Sequence, residues 1–367
     1  MRLVFRKTLI PALMICALGF LGKCALFGER PADARAGAAG RSKGAARVFD
    51  QKAERLSCRR LKNDAAQYVL ISFDGTPNKF LLDFAGAHPR VKFTFFVSAV
   101  LFVTDDYGRR NYRQPRGRSG ASRLGFGGAP SEARANRERT LRALGEGHEI
   151  ACHFNGHFSG TFRYRESEWR EELRWFESHT LPWIRGKYPL FRFYGVRAPY
   201  LETSGSLRRL LKKSGYLYDA SLFSHRAVWP RKTREGVYGM PIDVLYLGRI
   251  RRYSLAMDYN VRRFQVKYGL VNRSLRLAEY SRALNRLFRD RYYGRREPLH
   301  LANHVHTAEN GAYNRSLTRF AAEACALPEV KCVTYRRLSE ILRAKEHCAM
   351  KSAVKRAMKR ERYAKKR

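Results

Sequence analysis

Acidic side chains are scarce: 367 residues carry 32 Asp and Glu against 73 Lys and Arg, a formal charge of +41. Such a charge predicts attraction to polyanions, whether nucleic acid, anionic lipid or an acidic cell-wall polymer, and says nothing about fold. No Cys-x-x-Cys pair occurs, which argues against a cysteine-ligated zinc site. No helix-turn-helix, zinc finger or aromatic-basic motif is visible, so specific nucleic-acid binding lacks an organised reading element. No internal repeat is found. Disorder is set aside for the middle of the chain, where 44% hydrophobic and 13% aromatic content can build a core.

The N-terminal residues read as an export signal, residues 1–34. Arg2, Arg6 and Lys7 precede the apolar run from Leu9 to Leu21, and Ala32-Asp-Ala34 offers small residues for cleavage. An uncleaved anchor and a lipid-modified Cys24 are the alternatives; Lys23 interrupts the run and sits badly before a processed cysteine. Export places the protein in the periplasm or outside the cell, where disulfides form. Loss of Cys16 and Cys24 with the signal leaves Cys58, Cys152, Cys325, Cys332 and Cys348. Cys152, inside an apolar run, reads as a buried thiol. Cys58 with Cys348 and Cys325 with Cys332 is the preferred pairing of the others.

Residues 35–65 read as a linker and 346–367 as a basic tail, a solvated helix or a tether to an anionic polymer or membrane surface. Between them, short apolar runs alternate with helical patterns. Strands are expected over 68–73, 93–97, 149–152, 192–196, 216–222, 237–246, 254–257, 299–305 and 331–334. Helices are expected over 131–144, 166–179, 204–213, 274–290, 316–325 and 335–344, and the Arg/Gly-rich stretch 109–130 as a long basic surface loop. This alternation indicates an α/β fold with a parallel sheet, closed or nearly closed into a barrel.

The most informative stretch is Gly147-His-Glu-Ile-Ala-Cys-His-Phe-Asn-Gly-His157. An apolar strand ends at His153, and Asn155-Gly156 supplies a turn that brings His157 back beside it. Two converging imidazoles are the larger part of a catalytic zinc site, which takes three protein ligands and keeps one position for water. Polar residues fall at other strand ends too: Asp74, then Arg197-Ala-Pro-Tyr200, then His304-Val-His306. In a parallel barrel that end carries the chemistry.

These motifs, together with Ser72-Phe-Asp-Gly75 and Gly195-Val-Arg-Ala-Pro-Tyr200, resemble those of NodB-type polysaccharide deacetylases, carbohydrate esterase family 4, and in particular its chitin-deacetylase-like branch. The resemblance covers residues 66–345. It implies a distorted (β/α) barrel with parallel strands and surrounding helices. It also implies metal-dependent hydrolysis of N-acetyl groups from a glucosamine polymer, peptidoglycan or chitin-like. The metal, zinc by preference, would be held by His153, His157 and an aspartate. Asp74 corresponds to the general base, Arg197 to its ion-pair partner, and His306 to the acid that protonates the departing amine. Pro199 and the Tyr200 backbone amide fall on the substrate and oxyanion side. Trp229 matches an aromatic lining the acetyl pocket, with core packing the alternative.

These roles agree with the chemistry, since amide hydrolysis needs an activated water, a stabilised oxyanion and a proton for the amine. Asp258 is the first candidate for a carboxylate that keeps His306 protonated, ahead of Asp243 and Asp219. His304, two residues earlier on the same face, reads as a second site residue or, with slight preference, a packed histidine.

One position departs from the pattern. Where the family carries a second aspartate as metal ligand, this chain has Gly75. Either Asp74 serves both jobs, or a water or a side chain such as Asn78 completes the shell, or the metal is bound poorly. The alternatives to a deacetylase are a catalytically impaired glycan-binding protein on the same fold, and a polyanion-binding protein whose barrel is incidental.

Overall fold

The computed structural model describes residues 58–62, 64–306 and 309–364. The expected export signal and most of the expected linker lie outside the described residues.

Ten strands form the sheet: β1 Gln67–Asp74, β2 Phe93–Val97, β3 Glu149–Cys152, β4 Gly195–Val196, β5 Tyr218–Ser224, β6 Arg231–Lys232, β7 Tyr238–Leu247, β8 Arg252–Leu255, β9 Leu299–His304 and β10 Val330–Cys332. The helices are α1 Cys58–Lys62, α2 Lys79–Ala87, α3 Asp105–Asn111, α4 Pro130–Gly145, α5 Glu166–Lys187, α6 Gly205–Lys213, α7 Asp258–Lys267, α8 Arg273–Tyr292, α9 Ala312–Ala326 and α10 Tyr335–Ala364.

Parallel pairing runs from β9 through β1, β2, β3, β4 and β5 to β7. The circuit closes through the residues that follow β8. The Ala256 amide donates to the Asp243 carbonyl at 2.8 Å, and the Ala256 carbonyl accepts from Ala302 of β9 at 2.9 Å. A parallel bridge joins Met257 to Ala302. The sheet is therefore a distorted barrel. It is not wholly parallel, because β6 and β8 both run antiparallel to β7.

All eight residues of β1 are buried, as expected where both faces of a strand are covered. Alternation sorts them. Val69, Ile71 and Phe73 join the larger core under the helices, with Phe93, Phe95 and Trp169. Tyr68 and Leu70 join a second cluster with Phe96, Ala151, Tyr218, Ala220 and Tyr335. The same period of two carries Ser72 and Asp74 onto that second face, inside the barrel. Sequence parity on β1 thus brings a carboxylate to the barrel mouth.

Several elements differ from expectation. The helix expected to stop at 179 runs to Lys187 through Pro182. The single backbone bond that proline removes is outweighed by continued burial, with Thr180 and Ile184 packed beyond the expected end. The stretch 109–130 starts inside α3 and returns to the barrel, its Arg123 amide donating to the Gly156 carbonyl at 2.8 Å. Neither α2 nor α7 was legible from apolar spacing. The helix expected over 335–344 continues to Ala364, so the basic tail extends a core helix. Cys58 is bonded to Cys348 and Cys325 to Cys332, while Cys152 is free and buried, matching the preferred pairing.

Candidate active site

Arg197 is fully buried, and four acceptors surround its guanidinium. Nη1 donates to Asp74 Oδ1 at 2.5 Å, Nε to the Ala220 carbonyl at 3.1 Å, and Nη2 to Ser72 Oγ at 2.9 Å and to the Tyr335 hydroxyl at 3.3 Å. The face of Phe96 lies 4.0 Å from its central carbon. An unpaired charge at such a site would be prohibitively costly, so the Asp74 carboxylate is what makes this arginine tolerable, and the converse holds. Burial pushes Asp74 up, but the charge of Arg197, with that of His304 behind it, outweighs this and holds the carboxyl below its ordinary value.

His153 follows β3. Its Nδ1 lies 2.7 Å from the Arg197 carbonyl, which only accepts, so Nδ1 carries the proton. Nε2 then presents a lone pair. It is buried without a hydrogen-bond partner and lies 4.0 Å from Asp74 Oδ2. Burial lowers the His153 pKa and lowers that of His157 to about 3, leaving both rings neutral. The two ring centroids are 5.1 Å apart. The turn between them puts Phe154 and His157 in the left-handed region, at φ 57° and 54°. It is anchored where the Asn155 amide donates to the buried Glu172 carboxylate at 2.9 Å, and the Tyr112 hydroxyl donates to that carboxylate at 2.8 Å. Asp74 thus stands beside Arg197 and His153, and His157 stands beside His153.

The acid side differs. Asp258, the first residue of α7, is buried and pairs with His304, not His306. Its Oδ1 accepts from His304 Nδ1 at 2.7 Å and from the His304 amide at 3.1 Å. His306 lies beyond the end of β9 and is exposed. His304 is the register partner of Asp74 across the β9–β1 ladder, which puts the two residues side by side. Burial alone would lower the His304 pKa; the Asp258 charge and hydrogen bond, with Asp74 behind them, raise it to about 9. His304 closes β9, part-exposed and paired with the buried Asp258 carboxylate.

The second-choice carboxylates serve elsewhere. Asp243 accepts from Arg291 at 2.5 Å and from the His300 amide at 2.8 Å. Asp219 accepts from Thr203 at 2.5 Å and from the Ser221 amide at 3.0 Å. Trp229 does not line the site. Its ring is 6.1 Å from that of Tyr68, near the start of β1, with Lys345 4.4 Å from its centre. Six residue steps along β1 separate Tyr68 from Asp74, roughly 20 Å. Pro199 is buried and opens the turn Pro199–Leu201, which sets the half-exposed Tyr200 ring 4.7 Å from that of His157. Positioning groups missed in the sequence are Ser72, Tyr335 and Asn303, whose Oδ1 accepts from the Asp258 amide at 3.1 Å. For Ser72 the signal was there, two residues before Asp74 on the same face.

Neutral His153 and His157 have the right donor chemistry for a zinc ion, and Asp74 offers Oδ2. Gly75 adds nothing, and Asn78 is occupied as the N-cap of α2, its side chain accepting from the Leu81 amide at 2.9 Å. Among the described residues no three His, Cys, Asp or Glu side chains converge closely enough to hold an ion. The donor set falls short of a three-ligand centre, and no step below is drawn through a metal.

Restoring a carboxylate at position 75 meets a backbone obstacle. Gly75 has φ 124°, and a Cβ there would stand 3.2 Å from the Val305 Cβ. Gly75→Asp is therefore expected to destabilise the fold by about 1–3 kcal/mol, read as a lowered midpoint in urea or thermal unfolding. A stability equal to the wild type would show that the loop re-forms without strain.

No protein-family model matches the chain, and no curated protein matches it. Solved structures do. A protein assigned as a polysaccharide deacetylase from Mycobacterium smegmatis is 19% identical, with 77% of this chain and 92% of that one covered, at a TM-score of 0.48. Puue allantoinase is 14% identical over 76% and 91%, with a TM-score of 0.48. The peptidoglycan deacetylase PdaC from Bacillus subtilis is 12% identical over 78% and 97%, with a TM-score of 0.40. At these values the argument for function rests on the side chains at the barrel mouth.

Proposed function

We propose that the protein is a hydrolase that removes acetyl groups from the amide nitrogens of an N-acetylated glucosamine polymer. The observation that carries this reading is the placement of Asp74 and His304 as register partners on adjacent strands, one carboxyl held ionised by Arg197 and one imidazole held protonated by Asp258. Environments that push two titratable groups in opposite directions assign a base and an acid. Asp74 takes a proton from water as its oxygen bonds to the acetyl carbonyl carbon. His304 delivers its proton to nitrogen as the carbon–nitrogen bond breaks, yielding acetate and the free amine.

The rim suits a sugar. Tyr200 and Tyr259 are 43% and 46% exposed, which leaves ring faces free for a pyranose, and they stand beside His157 and His304 respectively. Gly75 supports a second reading, a glycan-binding protein with impaired chemistry.

The test is acetate release from peptidoglycan and from N-acetylglucosamine oligomers, with and without added zinc. Release by the wild type and its loss in His304→Gln is the expected result. Polymer binding without release, unchanged in Asp74→Asn, would overturn the enzyme in favour of the binding protein.

A further inference from the structure

We infer that the distal half of α10 is an interfacial helix that lays its Met350, Val354 and Met358 side chains into an anionic lipid bilayer. The helix has two unlike halves. In the first, Tyr335, Leu338, Ile341 and Leu342 are buried against the barrel. The bond between Cys348 and Cys58 marks where this packing ends. Every side chain over 351–358 is exposed. Met350, Val354 and Met358 are nonetheless apolar, at 67%, 55% and 54% exposure, and they recur every four residues, so they form one stripe. Ala353 and Ala357 flank the stripe on one side of the helical wheel, and Lys351 and Lys355 flank it on the other.

An apolar stripe with cations along its flank is the pattern of a helix lying in the plane of a membrane surface. Charge argues against the other occupants. A second copy would bring another chain of +41 against this one, and a nucleic acid or acidic glycan has no use for the methionine stripe. An anionic bilayer satisfies both faces. No described helix is long and apolar enough to cross a membrane, so the contact would be peripheral.

The experiment is flotation of the full chain with vesicles of phosphatidylcholine alone and with about 30% phosphatidylglycerol, where the anionic lipid should tighten binding about tenfold or more. Replacing Met350, Val354 and Met358 together by Asp should cost about tenfold in vesicle binding and leave the melting temperature and any acetate release unchanged. Two results would overturn the inference. The first is a triple variant that floats like the wild type while Lys351→Glu with Lys355→Glu does not, which would mark plain polyelectrolyte attraction. The second is a lipid-free dimer that the triple variant dissociates in sedimentation, which would assign the stripe to a second copy.

Discussion

Replacing Asp74 by Asn is expected to lower acetate release by about three orders of magnitude, the range lost when a positioned proton-transfer group is removed. The substitution keeps the shape and one acceptor for Arg197 but removes the charge that balances a fully buried guanidinium. Stability should fall with activity, by about 3–5 kcal/mol for a broken buried pair. Arg197→Met should do the same from the other side. Because both singles strand a charge, the double variant is expected to be more stable than the sum of the two losses allows. Urea unfolding of the four proteins measures that coupling. Strictly additive losses would mean that Asp74 and Arg197 do not depend on each other, and the base would lose its partner.

The dependence on pH should be bell-shaped with an alkaline limb near 9, and whatever residual release His304→Gln retains should lack that limb. His304 is raised to about 9 by Asp258 against the effect of burial, so it remains protonated through neutral pH and loses its proton as pH climbs past that value. For stability the sign is the same. A group whose folded pKa lies above its unfolded value contributes fully below the unfolded pKa, and the contribution is lost as pH rises through the folded one. Asp74 acts in the opposite sense. Held low by Arg197 and His304 against the effect of burial, it contributes above the ordinary carboxylate range, and that is lost in acid as pH falls through its folded pKa. Asp258→Asn should move the alkaline limb downward, because His304 then loses the charge that protonates it. A rate profile flat from 7 to 10 in the wild type would remove His304 as the acid.

The barrel was legible because β1, β2 and β3 are apolar runs of strand length, and the base side was legible because Asp74, His153, His157 and Arg197 each close or follow a strand-length run. The acid side was not. His304 and His306 share a face on an extended strand, and only the end of β9 at His304 separates them. Asp258 could be picked out, but its choice between the two depends on where α7 begins, a helix with weak apolar spacing. Trp229 was misplaced because a match to a family position does not tell which end of a barrel a loop occupies. The absence of a carboxylate at position 75 was visible as Gly75, whereas the capture of Asn78 by the Leu81 amide was not, since a capping bond exists only once the helix has formed.

The ladder between β1 and β9 divides the mouth into a stiff part and a compliant one. Asp74 and His304 are paired on one rung, with the Val305 amide bonded to the Asp74 carbonyl at 2.9 Å, so the gap between them is set by the sheet and persists as long as the barrel does. His157 and Tyr200 stand on left-handed turns outside any ladder. Under the proposed function, shape selection among sugars would fall to these turn-borne rings, and variation there would retune which polymer is accepted while the Asp74–His304 pair stays put.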